Sequence, residues 1–190
     1  MDAITLLKQD HRELEKLFKR FEAAGDRAFA EQRRVVDKII EELSIHASIE
    51  ETLFYPVTRA AVPAVEDQAL EGLEEHHIVK WVLAELEGMD PGDELWKPKV
   101  TVLIENARHH NGEEESDYFP KVREALGRND LNDLGDAMVA AKETAPRHPH
   151  PRAPDEPTGN IVAAGAATVV DRVRGTVGGA VAKVARRAAG

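Results

Sequence analysis

His46-Ala47-Ser48-Ile49-Glu50-Glu51 and His110-Asn111-Gly112-Glu113-Glu114-Glu115 repeat one pattern. Each is followed at the same distance by an aromatic-proline pair, Tyr55-Pro56 and Phe119-Pro120. On a helix, a histidine and a glutamate four residues apart share a face, one turn above the other. Two such faces turned toward each other bring two imidazoles and two carboxylates to a single point. Imidazole nitrogen is a neutral donor to iron, zinc and copper, while a carboxylate can bridge two hard cations and absorb their charge. The pattern therefore reads as a transition-metal site, and as a two-metal one if more donors converge on it.

An internal repeat supplies them. With His11 aligned on His76, the apolar positions coincide: Leu14 with Val79, Leu17 with Val82, Phe18 with Leu83, Phe21 with Leu86. The acid before each histidine coincides as well, Asp10 with Glu75. With His46 on His110, Glu50 and Glu51 fall on Glu114 and Glu115. The candidate ligands are His11, His46, Glu50, His76, His110 and Glu114. Six side chains cannot saturate two octahedral metals, so water, hydroxide or oxo groups must complete them and exchangeable positions remain.

Several neighbours compete. His109 and Glu113 have the same four-residue spacing as His110 and Glu114; the register counted back from Pro120 selects the latter pair. His77 aligns with Arg12 and is expected on the rim. Glu51 and Glu115 are expected beside the ligands or on the rim, and Tyr55 and Tyr118 in the core or on the rim. The metal-free alternative is a helical bundle that buries four histidines and two glutamates. At about 1–3 kcal/mol for each unpaired buried polar group, that core calls for a cation.

Four long segments with helical periodicity position these residues. The first spans about residues 3–24 and stops at Gly25-Asp26. The second begins after Asp26, read as an N-cap, and runs to Pro56. The third covers about 64–88 and ends in Asp90-Pro91-Gly92-Asp93; the fourth covers about 94–119, with Pro98 in its first turn. Two shorter helices are expected near 121–126 and 130–143. Nothing alternates with period two. The expected fold is all-α, an up-down-up-down four-helix bundle made of two similar hairpins.

Composition narrows the function. The 190 residues are 42% hydrophobic, enough for a core, and contain no cysteine, which excludes disulfides, thiolate metal sites and thiol nucleophiles. Residues 146–190 carry seven Lys/Arg and three Asp/Glu, a net of +4, which leaves −14 on residues 1–145. A body that acidic argues against nucleic acid as a partner. Residues 1–10 lack a secretory signal, and the apolar run 161–170 falls short of the roughly 18–20 residues that span a bilayer, so a cytoplasmic protein is expected. Residues 1–145 are read as the metal-binding domain and 146–160, with five prolines and the solvated His148 and His150, as a disordered linker. Residues 161–190 form an Ala/Val/Gly-rich basic tail, weakly helical at most, that can contact a membrane surface or another protein.

The order of motifs, a histidine, then His-x-x-x-Glu-Glu with Leu-Phe-Tyr-Pro, then Glu-His, then His-x-x-x-Glu with Phe-Pro, resembles the hemerythrin HHE cation-binding family over about residues 3–125. The resemblance implies the hemerythrin bundle and a non-haem centre of two iron ions, oxo- or hydroxo-bridged, held by His11, His46, Glu50, His76, His110 and Glu114. One position departs from it. Oxygen-carrying hemerythrins have a second histidine four residues after the first on the third helix, and here that position is Lys80. Loss of that histidine favours reaction with peroxide, nitric oxide or dioxygen over reversible carriage. The leading expectation is a protein that handles or senses small oxidants, with catalase-like turnover as one form. Its alternatives are an iron-storage or oxygen-binding module without turnover, and a regulatory protein acting through its tail.

Overall fold

The computed structural model describes residues 1–152. Helix α1 spans Ala3–Ala23, α2 Phe29–Ile49, α3 Tyr55–Ala61, α4 Glu66–Gly88, α5 Trp96–Glu113, α6 Phe119–Ala125 and α7 Arg128–Lys142. Among the described residues there is no strand. The hairpins α1–α2 and α4–α5 make the four-helix bundle, and α7 lies along α1 and α2.

The helix ends follow local chemistry. Asp2 caps α1, accepting from the Thr5 backbone amide at 3.0 Å and from its hydroxyl at 2.6 Å. Asp26 is not the cap expected for the second helix. That helix begins at Phe29 without a side-chain cap, and Asp26 instead pairs with Lys97 of α5 at 2.5 Å. The guanidinium of Arg33 closes the far end of α4, donating to the carbonyls of Leu86 at 2.8 Å and Met89 at 3.3 Å while lying over the Trp96 ring.

The prolines expected to stop the second and fourth helices do not stop them. A π-helical turn, Glu50–Phe54, joins α2 to α3, and another, Glu114–Tyr118, joins α5 to α6. In these turns the amide of Tyr55 reaches back five residues to Glu50, and that of Phe119 to Glu114. The widened ladder accommodates Pro56 and Pro120, which have no N–H to give and would crowd the carbonyl four residues back in a regular helix. Both π turns begin on a candidate ligand.

The core is in two parts. Leu14, Phe18, Val36, Ile39, Leu83, Trp96 and Val100 fill one half of the bundle; Leu7, Ile49, Phe54, Tyr55, Phe119, Leu134 and Met138 fill the other. His11 falls between Leu7 and Leu14 on α1, so the polar cluster is a layer between two apolar ones. At one end a Cβ on Gly135 would sit 2.1 Å from the Met1 carbonyl oxygen, so a glycine is required for α7 to meet the chain start.

Residues 146–152 contain no helix and lie against α2 and α4. Arg147 pairs with Glu41, Nδ1 of His148 donates to Glu87 at 2.7 Å, and Pro149 is buried. The expected linker thus begins as a docked segment. Its remainder, 153–160, and the tail 161–190 lie outside the described residues.

Candidate metal centre

All six candidate ligands turn inward and are buried: His11, His46, His76 and His110 with Glu50 and Glu114. His109 and Glu113 stay at the surface, 64% and 51% exposed, which separates the two possible registers. A half-exposed His77 bonds to Trp81 on the outside of α4.

The inward atoms form two groups that share a residue. Donor atoms of His11, His46, Glu50 and Glu114 lie within 4.8 Å of one another, and so do those of Glu50, His76 and His110. Oε2 of Glu50 is 3.1 Å from Nε2 of His46 and 3.5 Å from Nε2 of His76. Oε2 of Glu114 is 3.4 Å from Nε2 of His11 and 3.7 Å from Nε2 of His110. Each glutamate therefore reaches a histidine of its own helix and one from the opposite hairpin.

Behind the ligands stands a ring of carboxylates. The Nδ1 of His76 faces Glu51 at 3.1 Å, and that of His11 faces Glu115 at 2.9 Å. The Nδ1 of His110 faces Glu75 at 2.6 Å, and that of His46 lies a looser 3.7 Å from Asp10. Four imidazoles thus point Nε2 at the centre and Nδ1 at an acid. That arrangement sets tautomer and ring orientation in carboxylate–histidine–metal sites. The π turns contribute here, since they let consecutive glutamates act inward, one at the centre and the next on a histidine of a facing helix.

Burial and proximity set the charges. Burial pushes His46 down to about 4 against the pull of Asp10, and lowers His76 against that of Glu51. For Glu50, burial and the neighbouring Glu114 push the carboxyl well above its ordinary range. Burial acts the same way on Glu114, but the imidazoles of His110, His11 and His46 outweigh it and hold the group at about 2. The His110 imidazole is raised although burial opposes it, because Glu114 and Glu75 favour its cation. A buried carboxyl pushed up and two imidazoles pushed down record ionisable groups taken out of water, whose burial a bound cation would compensate.

The polar atoms agree. Nε2 of His11 and His46, both oxygens of Glu50 and Oε2 of Glu114 are buried without a hydrogen-bond partner among the described residues. Nε2 of His76 and His110 face each other at 3.1 Å, a spacing that needs a proton or a shared cation between them. Native interiors leave few such atoms unpaired, so nitrogen and carboxylate donors gathered this way fit a transition-metal cation.

Three features were not legible in the sequence. The hydroxyl of Tyr55 donates to Oε1 of Glu114 at 2.9 Å and lies 3.4 Å from Nε2 of His110. Gly72 makes room for it, since a Cβ there would sit 2.8 Å from that hydroxyl and 3.3 Å from Cε1 of His110. The ammonium of Lys80 is buried and donates to Glu51 at 3.0 Å, which makes it the partner of a carboxylate behind His76. Only the roles of Asp10 and Glu75 had left a trace, as acids in register before His11 and His76.

Comparison with known proteins agrees with this geometry. Residues 2–122 match the Hemerythrin HHE cation binding domain family. An uncharacterized hemerythrin-like protein of Schizosaccharomyces pombe is 26% identical over 167 residues, covering 87% of this chain and 81% of that one. A protein of Nostoc named DNA nickase is 24% identical over 142 residues, but the match covers only 39% of its length. Among solved structures, a Hemerythrin HHE cation binding domain-containing protein from Mycobacterium kansasii superposes with a TM-score of 0.64 at 26% identity, covering 76% of this chain and 86% of that one.

Proposed function

The chain belongs to the Hemerythrin HHE cation binding domain family, and from that premise we propose that it holds two iron ions and reacts with small oxidants such as peroxide, nitric oxide or dioxygen. The observation that carries the two-metal reading is the pair of donor groups meeting at Glu50. In this reading His11 and His46 would hold one ion and His76 and His110 the other, with Glu50, common to both donor groups, and Glu114 completing the protein's share of the ligands. The metal-binding domain is assigned to residues 1–145.

Bound iron would supply redox chemistry at positions left open by only six protein donors. The protein's own part is to orient and to exclude water. Glu51, Glu75 and Glu115 hold three of the imidazoles while Asp10 faces the fourth more loosely, and apolar layers containing Phe18 and Phe54 close the site on both sides. Tyr55 can pass a hydrogen bond to an oxygen of Glu114 or hold that oxygen away from the second group. Lys80 supports reaction over reversible carriage. Its ammonium is engaged with Glu51, so the third helix offers one imidazole, His76, to the centre.

The test is metal analysis of the purified chain with an optical spectrum, followed by peroxide addition with oxygen evolution recorded. Two irons per chain and peroxide consumption are expected. Iron uptake with no consumption would replace this reading with storage, and loading by a different metal would remove it.

A further inference from the structure

The internal repeat predicts two equivalent approaches to the centre, and the structure makes them unequal. Between α1 and α5 runs an open groove of about 510 Å3 that has His11 and Glu115 on its floor. Between α2 and α4 lies a cavity of about 150 Å3 bordered by Glu51 and Lys80. In the repeat register, Ser44, Ala47, Ser48, Glu51 and Lys80 of the smaller space correspond to Arg108, Asn111, Gly112, Glu115 and Glu15 of the larger. These are the same approach on opposite sides of the bundle. The difference is that residues 146–150 lie across the α2–α4 side, contributing Pro146, His148, Pro149 and His150 to its wall.

The open groove has its own chemistry. Arg12, Lys16, Lys19 and Arg108 line it against two acids, Glu15 and Glu115, in a body whose net charge is negative. Lys16, Lys19 and Arg108 also pair with Glu13, Glu15 and Glu22, so the excess of positive charge is a local one beside Arg12; a concave surface with such an excess raises the local concentration of anions and speeds their arrival. Gly112, an exposed residue in its lining, has nothing within 4 Å of where a Cβ would stand. On the opposite side the same register position is Ser48, beneath the docked segment.

We propose that small anions reach the metal centre through the α1–α5 groove, past Gly112 and His11, and that residues 146–150 close the pseudo-equivalent entrance between α2 and α4. This rests on the iron-binding reading above. The centre then has a sidedness its near-symmetric ligands do not impose, and a segment beyond the bundle decides it.

The test uses the full-length chain loaded with iron and azide as the anionic probe, with binding followed by stopped-flow absorbance and iron content measured on the same samples. Gly112→Phe adds a ring at a position where a Cβ meets nothing within 4 Å, so iron content should be unchanged while azide and nitric oxide both bind more slowly. Arg12→Glu with Lys16→Glu should slow azide by about tenfold at low salt, less at high salt, and leave neutral nitric oxide unaffected. In the Gly112→Phe background, Arg147→Ala with His148→Ala removes the two anchors of the docked segment and should restore azide entry. Unchanged azide kinetics in a fully loaded Gly112→Phe protein would overturn the entrance; equal slowing of azide and nitric oxide by the charge reversals would overturn the selection of anions. A chain that takes up no iron would overturn the underlying metal reading instead.

Discussion

The phenol of Tyr55 donates to Oε1 of Glu114 at 2.9 Å, while its counterpart in the repeat, Phe119, has no hydroxyl and stacks on His11 with ring centroids 5.8 Å apart. Two hairpins that supply matching ligands therefore supply unlike support. Glu50 belongs to both donor groups and Glu114 to one, and the second oxygen of Glu114 is the one the phenol occupies. The aromatic pairs are swapped between the hairpins: the hydroxyl is on Tyr55 where the other has Phe119, and on Tyr118 where the first has Phe54.

Tyr55→Phe removes that oxygen and keeps the ring packed among Phe54 and Tyr118. The loss of a buried hydrogen bond to a charged acceptor should cost about 1.5–3 kcal/mol in the metal-free chain. Denaturant unfolding measures it, and the iron spectrum of the loaded variant should shift as Glu114 is released. An identical spectrum and stability would show that the contact carries no weight.

Gly72→Ala should act on the same bond from the other side. Its Cβ would fall 2.8 Å from the Tyr55 hydroxyl, so the phenol must move although alanine favours the helix. Loss of stability matching that of Tyr55→Phe, with no further loss in the double variant, is expected from a thermodynamic cycle. Additive losses would mean that the two act separately.

Glu51→Ala leaves Lys80 buried beside no carboxylate at that position and frees the Nδ1 side of His76. An acid that accepts from the outer nitrogen of a ligating imidazole is worth about 10–100-fold in metal affinity. Competition with a chelator of known affinity should show a loss in that range. Lys80→Met together with Glu51→Gln, which removes the charge from both, should bind metal better than Glu51→Ala does.

Removal of the metal should lower the melting temperature by many degrees, because ligand binding free energy adds to folding free energy. Glu50→Ala should do likewise, since it removes the carboxylate shared by both donor groups. Apo and holo forms melting together would show metal binding to be uncoupled from the fold.

The metal-free chain should also lose stability in acid. His46 is pushed down to about 4 from an ordinary value of 6.5. The unfolded chain takes this proton below 6.5 and the folded chain only below about 4, so stability falls as pH drops through that window, by up to about 3 kcal/mol. His76 adds in the same direction. Glu50 and His110, both raised, act with the opposite sign: their contributions are present at low pH and lost as pH rises through their folded values. His46→Gln should therefore flatten the acid limb between pH 6.5 and 4 in unfolding measurements. A limb as steep as before would assign the titration to another group.

Much of this protein was determined by sequence alone. Helical periodicity, the His-x-x-x-Glu pairs and the repeat register placed His11, His46, Glu50, His76, His110 and Glu114 on inner faces. That succeeded because the i to i+4 relation is local and two copies constrain each other. Proline chemistry was legible as an obstacle but not as a π turn, since whether a helix stops or widens depends on what its next turn packs against. The expected cap at Asp26 failed because a turn, Ala28 amide to Gly25 carbonyl, delays the helix to Phe29 and leaves Asp26 before its start. The acids behind the imidazoles, the phenol on Glu114, the clearance at Gly72 and the segment across α2 and α4 all join residues far apart in the chain. Their distances are set by how the helices pack, and no local spacing encodes them.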